Sequence, residues 1–163
     1  MKIEIKEYSN TPKVLEQIID IDKTFYKNFD YNDISWYTER YNETNSVHAL
    51  VINKKIVGYF CIYKISKKLF KDILNLKYDN DYNFPLKEIF KKTNYHYMSS
   101  ILVLEKYRRY SFLLIRRLQK IVNSLDNLVV ITVSKEGKML AEKMLKYIGK
   151  SNNAIIFAKT KED

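Results

Sequence analysis

Residues 101–120, ILVLEKYRRYSFLLIRRLQK, constrain the fold more than any other stretch of the chain. Ile101 to Leu104 is a short apolar run with strand character, and Glu105 to Tyr110 is a charged and aromatic knot. Phe112, Leu113, Ile115 and Leu118 then recur at helical spacing, with Arg116, Arg117, Gln119 and Lys120 between them. A strand therefore passes through a tight basic turn into a helix. Four of the five arginines, Arg108, Arg109, Arg116 and Arg117, surround that turn. Guanidinium groups suit bidentate contacts with phosphate, so the cluster points to an anionic ligand.

The elements on either side complete a mixed α/β pattern. KIEIKEY alternates as a first strand. Thr11 and Pro12 start a helix as cap and first-turn residue, and Val14, Leu15, Ile18, Ile19 and Phe25 follow at helical spacing. A shorter helix is expected after Asn32 or Asp33, running through Trp36, Tyr37 and Tyr41. VHALVINKKIVGYFCIYKI reads as a hairpin turning at Asn53-Lys54-Lys55. Between it and the strand YHYMSSILVL lies an excursion over 66–94, with amphipathic helical patterns in SKKLFKDILNL and PLKEIFKK. After the helix SFLLIRRLQKIVNSL come a buried strand, NLVVITVS, a helix KEGKMLAEKMLKYIG ending at Gly149, and a final strand NAIIFAKT.

At 163 residues and 46% apolar content, the expectation is one domain over 1–163, with 66–94 as an insertion between strands. No apolar run reaches the roughly 18–20 residues of a membrane span, and the charged N-terminus does not read as a signal peptide. A single cysteine, Cys61, sits in an apolar strand, which suits a buried structural thiol and a reducing cytoplasm. Neither His nor Cys spacing suggests a metal site. The charge of +10 favours polyanionic partners, yet 24 of the 29 basic residues are evenly spread lysines. Nucleic acid stays open on charge alone, with no RNA-reading motif to support it.

This order of elements, with ILVLEKYRRYSFLLIRRL at its centre, resembles the GNAT superfamily of acetyl-CoA-dependent N-acetyltransferases. That family ends a strand with V-x-P-x-Y-R and enters a loop (R/Q)-x-x-G-x-(G/A). Here Val103, Tyr107 and Arg108 match, with Glu105 at the proline, Ser111 at the first glycine and Leu113 at the second small residue. Ala141 and Gly149 match the family's later A-x-x-L-Y-E-K-x-G, with Leu145 at its tyrosine, and Gly58 falls where the family often has glycine. The resemblance implies a mostly antiparallel twisted sheet of six to seven strands flanked by helices.

It implies an enzyme that moves an acetyl group from acetyl-CoA to an amine, acting as a monomer or homodimer. In that scheme the main chain of Ile101, Leu102 and Val103 aligns the thioester. Arg108, Arg109, Tyr110, Ser111, Phe112 and Leu113 hold the pyrophosphate. Ser111 can cap the helix or donate to phosphate, and charge-assisted bonds from Arg108 and Arg109 can replace the main-chain ones that glycines would permit. Glu105 is the candidate base, or else a loop carboxylate paired with Arg108 or Lys106. His96, Tyr97 and Ser99 lie on the right strand without an assigned role, and His48 is given none. Tyr147 should face away on its helix, and the excursion should cover the acceptor side, with Tyr78, Tyr82 and Phe84 near the entrance. The alternatives are a catalytically weak or inactive CoA-binding or regulatory descendant of the family, and a GNAT-like protein acting on tRNA.

Overall fold

The computed structural model describes residues 1–9, 11–27, 46–89 and 92–161. The strands are β1 (Ile3–Tyr8), β2 (Val47–Ile52), β3 (Lys55–Lys64), β4 (Tyr95–Val103), β5 (Asn127–Thr132), β6 (Lys146–Ser151) and β7 (Ala154–Lys159). The helices are α1 (Pro12–Phe25), α2 (Lys67–Leu74), α3 (Ser111–Ser124) and α4 (Lys135–Glu142), with 3-10 helices at Leu86–Glu88 and Glu105–Tyr110. Hydrogen bonding orders the strands β1-β2-β3-β4-β5-β7-β6, and the sheet is mostly antiparallel, β4 and β5 being the parallel pair. The fold class is thus the mixed α/β one expected. The helix expected through Trp36, Tyr37 and Tyr41 lies outside the described residues.

The chain divides into two compact units, 1–61 with 100–118 and 62–99 with 119–163. In the first, Thr11 caps α1 as its sequence requires: extended backbone, a side-chain oxygen accepting from Val14 N–H, and Pro12 behind it. The buried stripe of α1 is Val14, Leu15, Ile18, Ile19 and Ile21, while Phe25 is exposed. That stripe packs on Val47, Ala49, Val51, Ile56, Tyr59 and Cys61. Asn53 and Lys54 take φ of 49° and 68° between β2 and β3, the two left-handed residues of a tight hairpin turn. Gln17 accepts the Ile56 N–H at 3.0 Å, fixing α1 to the strand.

The second unit corrects two expectations. The helix expected to run to Gly149 stops at Glu142, where Met144 and Leu145 N–H both return to the Ala141 carbonyl. The chain then forms β6, antiparallel to β7 through a turn with Asn152 at φ 51°. Gly149 is a strand residue, not a helix stop, and a Cβ there would lie 2.9 Å from Leu76 Cδ1. The described residues of PLKEIFKK form one 3-10 turn, after which Ile89 bridges to Ile65.

The excursion likewise serves the core. Phe84 is 3% exposed, edge-on to Tyr97 at 4.9 Å and to Tyr78 at 5.2 Å. It is therefore a packing residue, while Tyr82 is exposed. Helix α2 ends with Leu76 at φ 62°, in the place that usually goes to glycine. Lys77 N–H reaches the Asp72 carbonyl at 3.1 Å and closes that turn.

Candidate functional site

The strand-to-helix passage lies within the first unit. Ile101, Leu102 and Val103 are half-buried on β4, and Leu104 N–H donates to the Val57 carbonyl at 2.9 Å. Gly58 makes the close approach possible. A Cβ on it would meet Val103 Cγ2 at 2.8 Å, the Leu102 carbonyl oxygen at 2.9 Å and Val103 Cα at 3.1 Å. Glycine within a strand often marks such an approach, so the weak sequence cue at Gly58 has a steric basis.

The segment between β4 and α3 is not an open loop. Tyr107 N–H donates to the Leu104 carbonyl at 2.8 Å, the 3-10 helix runs to Tyr110, and Ser111 N–H donates to the Arg108 carbonyl. Ser111 has φ −58° and ψ −27°, already helical, so it does not cap α3 as the sequence suggested. The left-handed non-glycine residues among those described are Asn53, Lys54, Leu76 and Asn152, none of them here. With no left-handed residue here, the conformation of this segment does not itself call for glycine.

The side chains of this segment point their charge outward. Glu105 and Arg108 pair at 3.4 Å, with 82% and 62% of their side chains exposed. The Arg109 guanidinium lies 4.8 Å from the Tyr110 ring centre, and Lys106 lies 5.7 Å from that of Tyr107. Phe112 is half-exposed, Leu113 is partly buried, and Leu114 and Leu118 are core residues. Arg117 is drawn away from the turn into an ion pair with Glu7 of β1, leaving Arg116 exposed on the helix. That pair spans 110 positions and had no local signal.

The remaining candidates separate cleanly. Tyr97 is 3% exposed, packed between Tyr63 and Phe84, which makes it a core residue. His96 Nδ1 lies 3.2 Å from the Asn127 carbonyl on β5. His48 is buried and stacked on Phe60, with Nδ1 making no hydrogen bond and Glu7 at 3.8 Å. Burial pushes its pKa down to about 4, so it is neutral at neutral pH. Tyr147, expected on a helix, is an exposed residue of β6 whose ring meets Phe157 edge-on. Among the described residues, no three His, Cys, Asp or Glu side chains group as metal ligands, and no helix is long and apolar enough to cross a membrane.

No protein-family model matches the chain, and no curated protein sequence matches it. Solved structures do. The PH1933 protein of Pyrococcus horikoshii is 19% identical with a TM-score of 0.63 over 98% of each chain. A GNAT-family acetyltransferase of Streptococcus agalactiae is 14% identical with a TM-score of 0.55, covering 99% of this chain and 96% of that one. The NAA60 protein of Arabidopsis thaliana, in complex with acetyl-CoA, is 15% identical with a TM-score of 0.61, covering 98% of this chain and 99% of that one. Identities this low speak for the fold, and the fold is that of the GNAT acetyltransferases.

Proposed function

We propose that residues 1–163 form one acyltransferase domain that moves an acetyl group from acetyl-CoA, as co-substrate, to an amine. The observation that carries this reading is the agreement of fold over nearly the whole chain with acetyltransferases, together with a neighbour in complex with acetyl-CoA. The strand, arginine-bearing turn and helix stand in the order such an enzyme needs. In this reading the main chain at Ile101, Leu102 and Val103 aligns the thioester. The segment Arg108, Arg109, Tyr110, Ser111, Phe112 and Leu113 receives the pyrophosphate.

The amine nitrogen attacks the thioester carbonyl directly, the C–S bond breaks, and CoA leaves as the thiolate. The amine's proton passes to Glu105, directly or through water, and then to solvent. A thiolate departs without prior protonation, so a dedicated acid is not required. Holding both reactants in one geometry supplies several kcal/mol of the barrier. Activity then rises with pH as the acceptor amine loses its proton.

A second reading has its own support. The first turn of α3 is closed by the 3-10 helix, as suits a descendant that binds CoA weakly or without turnover. One experiment separates the two: calorimetry with acetyl-CoA, followed by thiol release over a panel of amines, peptides and aminoacyl acceptors. Binding with release on any acceptor supports the enzyme. Binding without release on all of them supports the descendant, and no binding at millimolar ligand overturns both.

A further inference from the structure

We propose that Glu105 stands in for a phosphate on Arg108, so that acyl-CoA binds by displacing a carboxylate from a guanidinium grip. The inference rests on the acyl-CoA reading above and concerns how that site holds its anion. A main-chain phosphate cradle needs N–H groups that are not already donating. Within the 3-10 helix from Glu105 to Tyr110 such groups are used internally: Tyr107 N–H donates to the Leu104 carbonyl and Ser111 N–H to the Arg108 carbonyl. Side chains then carry a larger share of the charge recognition.

The cations on this segment are Lys106, Arg108 and Arg109, all exposed. Arg109 lies over the Tyr110 ring, an arrangement that occupies a guanidinium's face and leaves its in-plane donors for an oxyanion. Arg108 already holds an oxyanion, the Glu105 carboxylate at 3.4 Å. Glu105 is the sole acidic residue between Glu88 and Asp126, a span with eight basic ones. The carboxylate thus sits where competing negative charge acts most directly on an incoming phosphate. An exposed Arg–Glu pair is loosely held, whereas guanidinium and phosphate can pair bidentately, so the exchange runs toward the co-substrate.

The test is CoA titration by calorimetry into the wild type, Glu105→Gln, Arg108→Gln and the double variant. Binding rather than turnover is measured because Glu105 is also the proposed proton acceptor. Glu105→Gln should tighten CoA about two- to five-fold, as expected for release of one exposed ion pair. Arg108→Gln should weaken it about ten-fold or more, as for loss of a charge-assisted bond. The double variant should match Arg108→Gln within about two-fold, because without Arg108 there is nothing left to compete for. Pantetheine, which lacks the phosphates, should bind wild type and Glu105→Gln alike.

An unchanged or weaker CoA affinity in Glu105→Gln overturns the exchange. So does a gain that survives the loss of Arg108, which would reduce Glu105 to diffuse repulsion. Wild type that binds CoA with either result leaves the acyl-CoA reading standing. Wild type that binds no CoA at millimolar concentration removes that reading and this inference with it.

Discussion

Gly58→Ala is the substitution that most directly probes the support of β4. The added methyl would lie 2.8 Å from Val103 Cγ2, 2.9 Å from the Leu102 carbonyl oxygen and 3.1 Å from Val103 Cα. Ordinary contact begins near 3.4 Å, so each neighbour must retreat by several tenths of an ångström. The Val103 methyl can rotate away, but the other two atoms are main chain, so β4 itself must move. Overpacking of this kind costs about 1–3 kcal/mol.

Alanine also restricts the unfolded chain, which returns about 0.4–1 kcal/mol. The net expectation is a loss of about 1–2 kcal/mol. Urea unfolding followed by fluorescence should show a lower midpoint with an unchanged slope. In parallel, CoA affinity should fall, because Leu102 and Val103 are displaced. Gly137→Ala is the control. Its Cβ would lie 3.0 Å from the Ser134 side-chain oxygen that caps α4 and meets no main-chain atom, so only that side chain must give, and the loss should be smaller than at Gly58. A Gly58→Ala protein as stable as the wild type, with CoA affinity unchanged, would refute the steric argument.

Three further outcomes are expected. His48 has its pKa lowered to about 4 from an ordinary 6.5, so below pH 6.5 the unfolded chain takes up the proton that the folded one refuses. Stability is therefore full above pH 6.5 and falls toward pH 4 by about 1–3 kcal/mol, a share that His48→Phe should remove from the difference between urea curves taken at neutral and at acid pH. Thr11→Ala removes the side-chain acceptor of Val14 N–H and should cost about 1 kcal/mol in thermal or urea unfolding. Tyr147→Phe alters an exposed residue of β6 and should change stability by less than about 0.5 kcal/mol, with acetyl transfer unaffected.

Where a local rule governs, the sequence already carries the structure. Thr11 and Pro12 announce α1, Asn53 and Lys54 announce the hairpin, and the strand-turn-helix order at 101–120 is present as expected. The failures are as physical as the successes. Leu140 and Met144 stand four residues apart, the spacing of one helical face, which hides the end of α4 at Glu142. That concealed β6, whose pairing with β7 closes through Asn152, a residue tolerant of left-handed backbone. At the candidate site the missing glycines read as an impaired loop, whereas the chain avoids a loop by continuing one helix into another. The Glu7–Arg117 pair and the burial of His48 depend on elements far apart in sequence, beyond any motif.

The strand order leaves β1 and β6 as the first and last strands of the sheet. Such margins recruit other chains, and aggregation begins there unless something discourages approach. Both carry lysines in or beside the strand, Lys2 and Lys6 at β1 and Lys146 and Lys150 at β6, and β6 adds a register break between Tyr147 and Gly149. At β1 the two lysines pair with Glu4, while at β6 a second molecule would meet Lys146 and Lys150 on a strand that is not regular. Part of the large positive charge therefore sits on the outermost strands of the sheet order, where lysines discourage pairing with another chain, whatever anion the arginines receive.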